Sequence, residues 1–341
     1  MKRALVTGAT GLVGSHIVER LAADDWEVRA LVRNPGSADA RTLARSGVTI
    51  VQGDVLDRSA FERAARGTDI IFHTAAAITP SGGWEVYRRL NVDGTEHAIA
   101  AAEASGARLM QVSSVAVYGP AGRYRAQGKT DEETPLGPLP GRAYYARSKR
   151  ESEELVMRAH AAGRIWATAI RPDVIYGRRD RQFVPRVARM LMRGFAPVIG
   201  GGHSTLAIVH AANVADGAVR AATTAAAGGR AYNLANDFDV TVRRFFELGA
   251  QGLGRPVRLI PIPMGLARGT FTAVRGAINL LTGGRLNVIS NASLSMITED
   301  NPFTSDRARR ELGWSPSVEP DRGVPEAFQW WLANRRSSGA P

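Results

Sequence analysis

Ala4-Leu5-Val6-Thr7-Gly8-Ala9-Thr10-Gly11-Leu12-Val13-Gly14 is the stretch from which the fold is read. Ala4 to Val6 form a short apolar run, the three glycines Gly8, Gly11 and Gly14 follow, and an amphipathic stretch runs from Ser15 to Ala23. Together they predict a buried strand, a tight turn and a helix start. A helix N-terminus carries unpaired N–H groups and partial positive charge, so a glycine turn that lets a pyrophosphate approach the backbone makes a dinucleotide site. Gly8 allows the turn, Gly11 the close approach, and Gly14 the packing of helix on strand.

Composition narrows the class. At 341 residues with 44% hydrophobic content, the chain is long enough for one large α/β domain and a smaller one. It carries no run of eighteen apolar residues and no signal-peptide pattern, which predicts a soluble cytoplasmic protein. Zero cysteines exclude disulfides, thiolate metal sites and a cysteine nucleophile. His16, His73, His97, His160, His203 and His210 show no metal-ligand spacing, so no metal is expected. The net charge of +12 is spread along the chain without a nucleic-acid module, which reads as a solvated basic surface and not as a nucleic-acid site. Almost all of that charge is arginine; Lys2, Lys129 and Lys149 are the only lysines.

Further strands are expected at Glu27 to Val32, Val48 to Val51, Ile70 to Phe72, Leu109 to Val112 and Trp166 to Ile170, alternating with helical lengths that include Trp84 to Ser105. This rhythm predicts a doubly wound parallel sheet, with its ligand beyond the carboxyl ends of the strands. An acidic residue closing the second strand would hold both hydroxyls of an adenosine ribose. Here Val32 is followed by Arg33, whose guanidinium fork suits a 2′-phosphate, so NADP(H) is expected over NAD(H), with NAD(H) still open. The small residues Ala75 and Ala76 after the fourth strand would let a flat cofactor lie against the backbone. Gly119 to Arg142, rich in Gly, Pro and charge, reads as a long loop that could serve as a lid. The expected division is a dinucleotide-binding domain over 1–177 and 205–236 and a substrate domain over 178–204 and 237–341.

Tyr145 and Lys149 stand four apart on an expected helix, so their side chains share one face. A tyrosine with an ordinary pKa near 10 is a poor proton-transfer group at neutral pH, and a neighbouring ammonium lowers it by stabilising the phenolate. Ser114, at the end of the fifth strand, is the candidate to hold the reacting oxygen, with Ser113 as its competitor.

On these residues the chain resembles the extended short-chain dehydrogenase/reductase superfamily over nearly its whole length. Thr7 to Gly14 match TGxxGxxG, Gly53-Asp54-Val55 the adenine-side motif, Asn91 to Thr95 the N-V-x-G-T motif, Val112 to Gly119 the VSSxxVYG strand, and Tyr145 with Lys149 the YxxxK pair. The resemblance implies Tyr145 as acid/base, Lys149 on the nicotinamide ribose, Ser114 polarising the carbonyl, and the turn from Pro172 to Val174 against the nicotinamide. It also implies that Thr10, Leu12, Val13, Asp54 and Val55 belong to the cofactor site, that Asn91 has a supporting structural or proton-relay role, and that the protein is a homodimer. Phe303 to Leu312 and Gly313-Trp314-Ser315-Pro316 are similar to the superfamily's last helix and turn.

Within the superfamily, enzymes on nucleotide-diphosphate sugars usually carry Asn where this chain has Asp173, and an Arg-Asp pair that Thr205 to His210 lacks. Val209 to Ala215 instead resembles the V-x-x-N-V-A run of the 3β-hydroxysteroid dehydrogenase and dihydroflavonol reductase branch, although hopanoid-associated sugar epimerase-like proteins also end the second strand in arginine. Arg186, Arg189 and Arg193 share a possible helix face, read first as solvated and otherwise as a meeting place for an anion. Phe271, Val274, Ile278 and Leu281 form an apolar stripe, with Arg268 and Arg275 on another face. That stripe is either a core helix or the wall of an apolar pocket touching a membrane surface. The expected activity is hydride transfer between a nicotinamide and an apolar ketone or alcohol. The alternatives are a nucleotide-sugar epimerase/dehydratase and a non-catalytic nucleotide-binding scaffold.

Overall fold

The computed structural model describes residues 2–78, 83–120, 128–267 and 298–335. The opening stretch forms strand β1 (Arg3–Thr7) and helix α1 (Leu12–Ala22). Ala4, Leu5 and Val6 are wholly buried, as expected of a strand covered on both faces. Then come β2 (Glu27–Val32), α2 (Ala38–Arg45), β3 (Thr49–Gln52), α3 (Arg58–Ala65) and β4 (Ile70–His73). Helix α4 (Gly83–Tyr87) continues through a π-helical stretch (Arg88–Asp93) into α5 (Gly94–Ser105), and β5 (Arg108–Val112) follows.

Long α6 (Tyr144–Ala161) leads to β6 (Ala167–Pro172). The strand was expected to stop at Ile170, but it carries on because Arg171 and Pro172 still pair with Asn233 and Leu234. Beyond it lie β7 (Val174–Tyr176), α7 (Phe183–Leu191), β8 (Phe195–Ile199), β9 (Ile208–His210), α8 (Ala211–Thr223) and β10 (Ala231–Leu234). The described chain closes with α9 (Val242–Gly252), β11 (Arg258–Ile262), α10 (Asp306–Leu312) and α11 (Pro320–Asn334).

Seven strands form one parallel sheet in the order β3-β2-β1-β4-β5-β6-β10. The chain order reverses between β1 and β4, and at such a switch point the loops leave in opposite directions and open a crevice. α1 and α8 pack on one face of the sheet around Ile17, Leu21, Val214 and Ala218. α3, α5 and α6 cover the other around Phe61, Ala98, Ala102 and Val156. A separate apolar cluster joins α7, α9 and α11 through Leu191, Phe245 and Phe328, beside the small parallel pair β8 and β11.

Tertiary hydrogen bonds fix the C-terminal motifs. Gly313 ends α10 in the left-handed region, which turns Trp314 inward so that its indole Nε1 donates to the Asn213 carbonyl at 2.9 Å. The Asn213 side chain donates to Asp237 and Val318 and accepts from the Ser317 and Val318 amides, so the V-x-x-N-V-A run is the anchor of that turn. Arg186, Arg189 and Arg193 are exposed. The apolar stripe from Phe271 to Leu281, with Arg268 and Arg275, lies outside the described residues.

The contact between α1 and β1 generates a stability prediction. A Cβ on Gly14 would stand 2.7 Å from the Gly8 carbonyl carbon and 2.9 Å from the Ala9 Cα, both backbone atoms that cannot swing away. Gly14→Ala is expected to lose on the order of 1–3 kcal/mol in urea denaturation. Gly265→Ala, where nothing among the described residues lies within 4 Å, should stay within about 0.5 kcal/mol of wild type. An unchanged midpoint for Gly14→Ala would contradict the packing described.

Candidate active site

The crevice at the switch point is built by two loops. After β1, Gly8 takes φ +65°, a conformation costly for other residues, and the Gly11 amide closes the turn on the Gly8 carbonyl at 2.8 Å. After β4, the Thr74 hydroxyl donates to the Thr7 carbonyl at 2.7 Å and the Ala75 amide to the Thr7 hydroxyl at 3.3 Å, locking the loops together. A Cβ at Gly11 would meet only the Gly8 carbonyl oxygen, so the approach to α1 is open. The helix starts without a side-chain cap and without an acidic residue in its first turn, which leaves its leading N–H groups for an anion. Thr10, Leu12 and Val13 are half-buried around this opening.

Arg33 is exposed at the end of β2, outside every ion pair found among the described residues. Asp54 caps its own turn by accepting the Leu56 amide, and Val55 packs against Gly94. These groups fit a dinucleotide: an open helix N-terminus for the pyrophosphate, a cation for a ribose phosphate, and small residues at Ala75 and Ala76 for a flat ring.

Ser114, Tyr145 and Lys149 meet beside the end of β5. Ser114 ends the strand and begins a tight turn, its hydroxyl accepting the Ala116 amide at 3.2 Å. Tyr145 lies close enough to Ser114 for the serine side chain to pull the phenol pKa down. One turn further along α6, the buried Lys149 Nζ donates to the Val112 carbonyl at 2.7 Å. Ser113, the competing serine, has a buried hydroxyl without a hydrogen-bond partner among the described residues. Its amide completes the pairing of β5 with β6 by donating to the Ile170 carbonyl.

The electrostatics differ from the simple expectation that Lys149 lowers Tyr145. Burial pushes the Tyr145 phenol above its usual value; Ser114 pulls it back, and Tyr87 and Asp173 push it further up. Lys149 is itself brought down to about 8 by burial, with Glu153 opposing, and its ammonium is directed at a backbone carbonyl. Tyr145 is therefore held as the neutral phenol in this arrangement.

A match to the family model of the NAD dependent epimerase/dehydratase family spans residues 4–235. The chain belongs to that family. Among curated relatives, it is 29% identical over 323 residues to a 4-hydroxy-2-methyl-3-oxo-4-farnesyl-3,4-dihydroquinoline-1-oxide ketoreductase from Stigmatella aurantiaca, covering 94% of each chain. It is 28% identical over 344 residues to the 3beta-hydroxysteroid-dehydrogenase/decarboxylase isoform 1 of Arabidopsis thaliana, covering 94% of this chain and 77% of the relative. Among solved structures, a UDP-glucuronic acid 4-epimerase from Bacillus cereus in complex with NAD shares the fold at a TM-score of 0.73 and 18% identity, over 97% of this chain and 99% of that one. The protein is thus an oxidoreductase-type enzyme of the extended short-chain dehydrogenase/reductase superfamily, in an NAD-dependent family. No described helix is long and apolar enough to cross a membrane, and no cluster of metal-ligating side chains occurs among the described residues.

Further residues shape the site, Asn91 from within the N-V-x-G-T motif and an aromatic group from outside the family motifs. Buried Asn91, on the π-helical stretch, accepts the Ala77 amide at 2.7 Å and donates to the Ala77 carbonyl and the Ser148 hydroxyl. It thereby pins the loop after β4 to α6, a structural role. Trp84 and Tyr87 on α4 and Tyr144 on α6 set an aromatic wall beside Tyr145, with ring centres 6.3–6.4 Å apart and the Arg147 guanidinium stacked 3.9 Å over Trp84. A turn of helix separates Trp84 from Tyr87, but only the tertiary fold brings them to Tyr144. The second half of the loop expected as a lid is tied down: Arg150 donates to the Val117 and Gly137 carbonyls, and Thr130 pairs with the segment at Pro302 and Phe303.

Pro172 ends β6 in a buried position, and Val174 is half-buried at the start of β7. Between them, burial pushes the Asp173 carboxyl up to about 7. A carboxyl whose folded value lies above its unfolded value near 4 holds its proton longer in the folded state. Its contribution to stability therefore falls as pH rises from about 4 to about 7, and stays low above that. Asp173→Asn removes this ionisation, so its melting temperature relative to wild type should rise between pH 5 and pH 8. A constant difference across that range would contradict the burial of this carboxyl.

Proposed function

We propose that the enzyme is an NADP(H)-preferring reductase or dehydrogenase of an apolar ketone or alcohol, with Ser114, Tyr145 and Lys149 as its catalytic residues. The observation that carries this reading is the aromatic wall. Tyr87 stands beside Tyr145, Tyr144 and Trp84 extend the wall from it, and exposed Ile78 lies next to Tyr87, whose hydroxyl donates to the Ile78 carbonyl. Such a surface suits an apolar body whose one polar atom reaches the two hydroxyls. The activities for which the farnesyl-dihydroquinoline ketoreductase and the hydroxysteroid dehydrogenase relatives are named point the same way.

A nicotinamide held in this cradle would supply or accept the hydride at the substrate carbon. Ser114 donates a hydrogen bond to the carbonyl oxygen and Tyr145 transfers a proton to it as the alcohol forms. The raised value of Tyr145 keeps that proton available at neutral pH. Lys149, buried one helical turn away, offers a positive charge to the resulting phenolate and to the nicotinamide ribose. Pro172 and Val174 would flank the nicotinamide; Gly8, Thr10, Gly11, Leu12, Val13 and Gly14 would hold the pyrophosphate; Asp54, Val55, Ala75 and Ala76 would line the adenosine side. The dinucleotide-binding unit would comprise 1–177 and 205–236, and the remainder the substrate unit. A homodimer and a peripheral membrane contact complete the proposal, supported by the exposed apolar side chains Phe195, Ile260 and Leu266.

The nucleotide-sugar alternative has Asp173 against it, because a carboxylate facing a diphosphate repels it. The deciding assay follows the absorbance of added NADPH with a panel of apolar ketones and nucleotide sugars. Stoichiometric NADPH oxidation with a ketone is expected; conversion of a nucleotide sugar without net cofactor change would overturn the reading. For the cofactor, fluorescence titration should show tighter binding of NADPH than NADH, and Arg33→Ala should weaken NADPH roughly tenfold while sparing NADH. Equal wild-type affinities would contradict the role given to Arg33.

A further inference from the structure

Buried Asp180 and Asp237 and half-buried Asp173 lie near the carboxyl ends of β7, β10 and β6, and their hydrogen bonding separates Asp173 from the others. Asp180 accepts the amides of Gln182, Phe183 and Val184 and uses both oxygens. Asp237 likewise uses both, accepting the His210 and Phe238 amides and the Asn213 side chain. Asp173 uses one. Its Oδ1 accepts the Val174 amide at 2.7 Å, while Oδ2 is buried without a hydrogen-bond partner among the described residues.

No cation among the described residues serves that oxygen. Arg171, two residues earlier, is committed to Glu153 and the Tyr118 hydroxyl, and Lys149 to the Val112 carbonyl. A buried carboxyl oxygen left without a partner is costly, and folded proteins pair such groups with protein, water or ligand. Asp173 is also within electrostatic reach of Tyr145. Asp173 directly follows β6, whose end pairs with the end of β5 that leads into Ser114, so it stands beside the candidate active site.

We propose that Asp173 Oδ2 is a specificity-determining acceptor that takes a hydrogen-bond donor carried by the substrate beside its reacting carbon, a hydroxyl, amine or amide N–H, and disfavours a substrate with an anion there. This rests on the apolar ketone/alcohol reading and narrows it to substrates with two adjacent polar groups, one for Ser114 and Tyr145 and one for Asp173. Oδ1 stays with the Val174 amide, so the carboxyl is already oriented and only Oδ2 changes partner on binding. Asparagine keeps the Val174 contact but puts an N–H donor where the acceptor stood, which turns donor against donor.

The test measures binding to the NADP+-loaded protein by calorimetry, using a long-chain vicinal diol and the matched secondary alcohol lacking the second hydroxyl. Wild type should bind the diol roughly tenfold or more tightly, since a site built to hydrogen-bond a hydroxyl rejects the analogue without it. Asp173→Asn and Asp173→Ala should remove that preference, weakening the diol roughly tenfold more than the mono-alcohol. An equal affinity of wild type for the two alcohols, or the same loss for both in the variants, would overturn the proposal. A far-ultraviolet circular dichroism spectrum checks that each variant is folded, and Asp173→Asn serves alone should the alanine variant fail. Parallel NADPH oxidation with the corresponding hydroxyketone and plain ketone separates the two claims. Diol preference without turnover of either ketone would sink the reductase reading and leave the acceptor standing, whereas turnover without preference would do the reverse.

Discussion

The close approach of the Gly8 and Gly14 backbones is the constraint on which the rest of the molecule depends. A side chain at Gly14 would collide with the Gly8 carbonyl group, so α1 can sit this tightly on β1 only because that side chain is absent. The helix axis then points its open N-terminus into the crevice between β1 and β4, where the sheet order reverses. The second loop of the crevice follows the first through Thr7 and Thr74, and Asn91 carries the alignment onward to Ser148 on α6. One local packing requirement thus reaches, through three hydrogen-bonded joints, the helix that bears Tyr145 and Lys149.

Burial, more than charge pairing, sets the protonation of the candidate active site. It raises Tyr145 and Asp173 and lowers Lys149, each toward its neutral form. Neighbouring His73 is driven the same way, to about 3, by burial and by the charge of Lys149. A neutral phenol beside a serine is a ready proton donor, and a lysine near 8 responds strongly to any new charge beside it. By contrast, the buried Arg171 and Glu153 serve each other as hydrogen-bonded partners, with Tyr118 and Asn233 completing the network. That network braces the strand end from which Asp173 projects.

Much of this was legible in the sequence, for reasons that differ by residue. The apolar run at Ala4 to Val6, the glycine spacing and the alternation of strand and helix lengths are local signals, and they specified the parallel sheet and the bounds of β2 to the residue. Tyr145 and Lys149 were legible because four residues make one helical turn. The aromatic wall was not, because Trp84 and Tyr144 are brought together by the packing of α4 on α6 and no local period records that. The tyrosine's electrostatics were also out of reach: the presence of Lys149 was visible, but the direction of its ammonium toward Val112 depends on where β5 ends against α6. Asp173 stood out in the sequence only as a departure from a motif; its one unserved oxygen is a property of the fold.

The central claim is that Tyr145 moves the proton in a site whose dinucleotide cradle is independent of it. The most direct measurement is a single-turnover reaction of Tyr145→Phe with bound NADPH and a ketone that wild type reduces, alongside the NADPH dissociation constant. The account predicts a loss of roughly a hundredfold or more in the hydride-transfer rate with NADPH affinity nearly unchanged. A near-normal rate in Tyr145→Phe would contradict it.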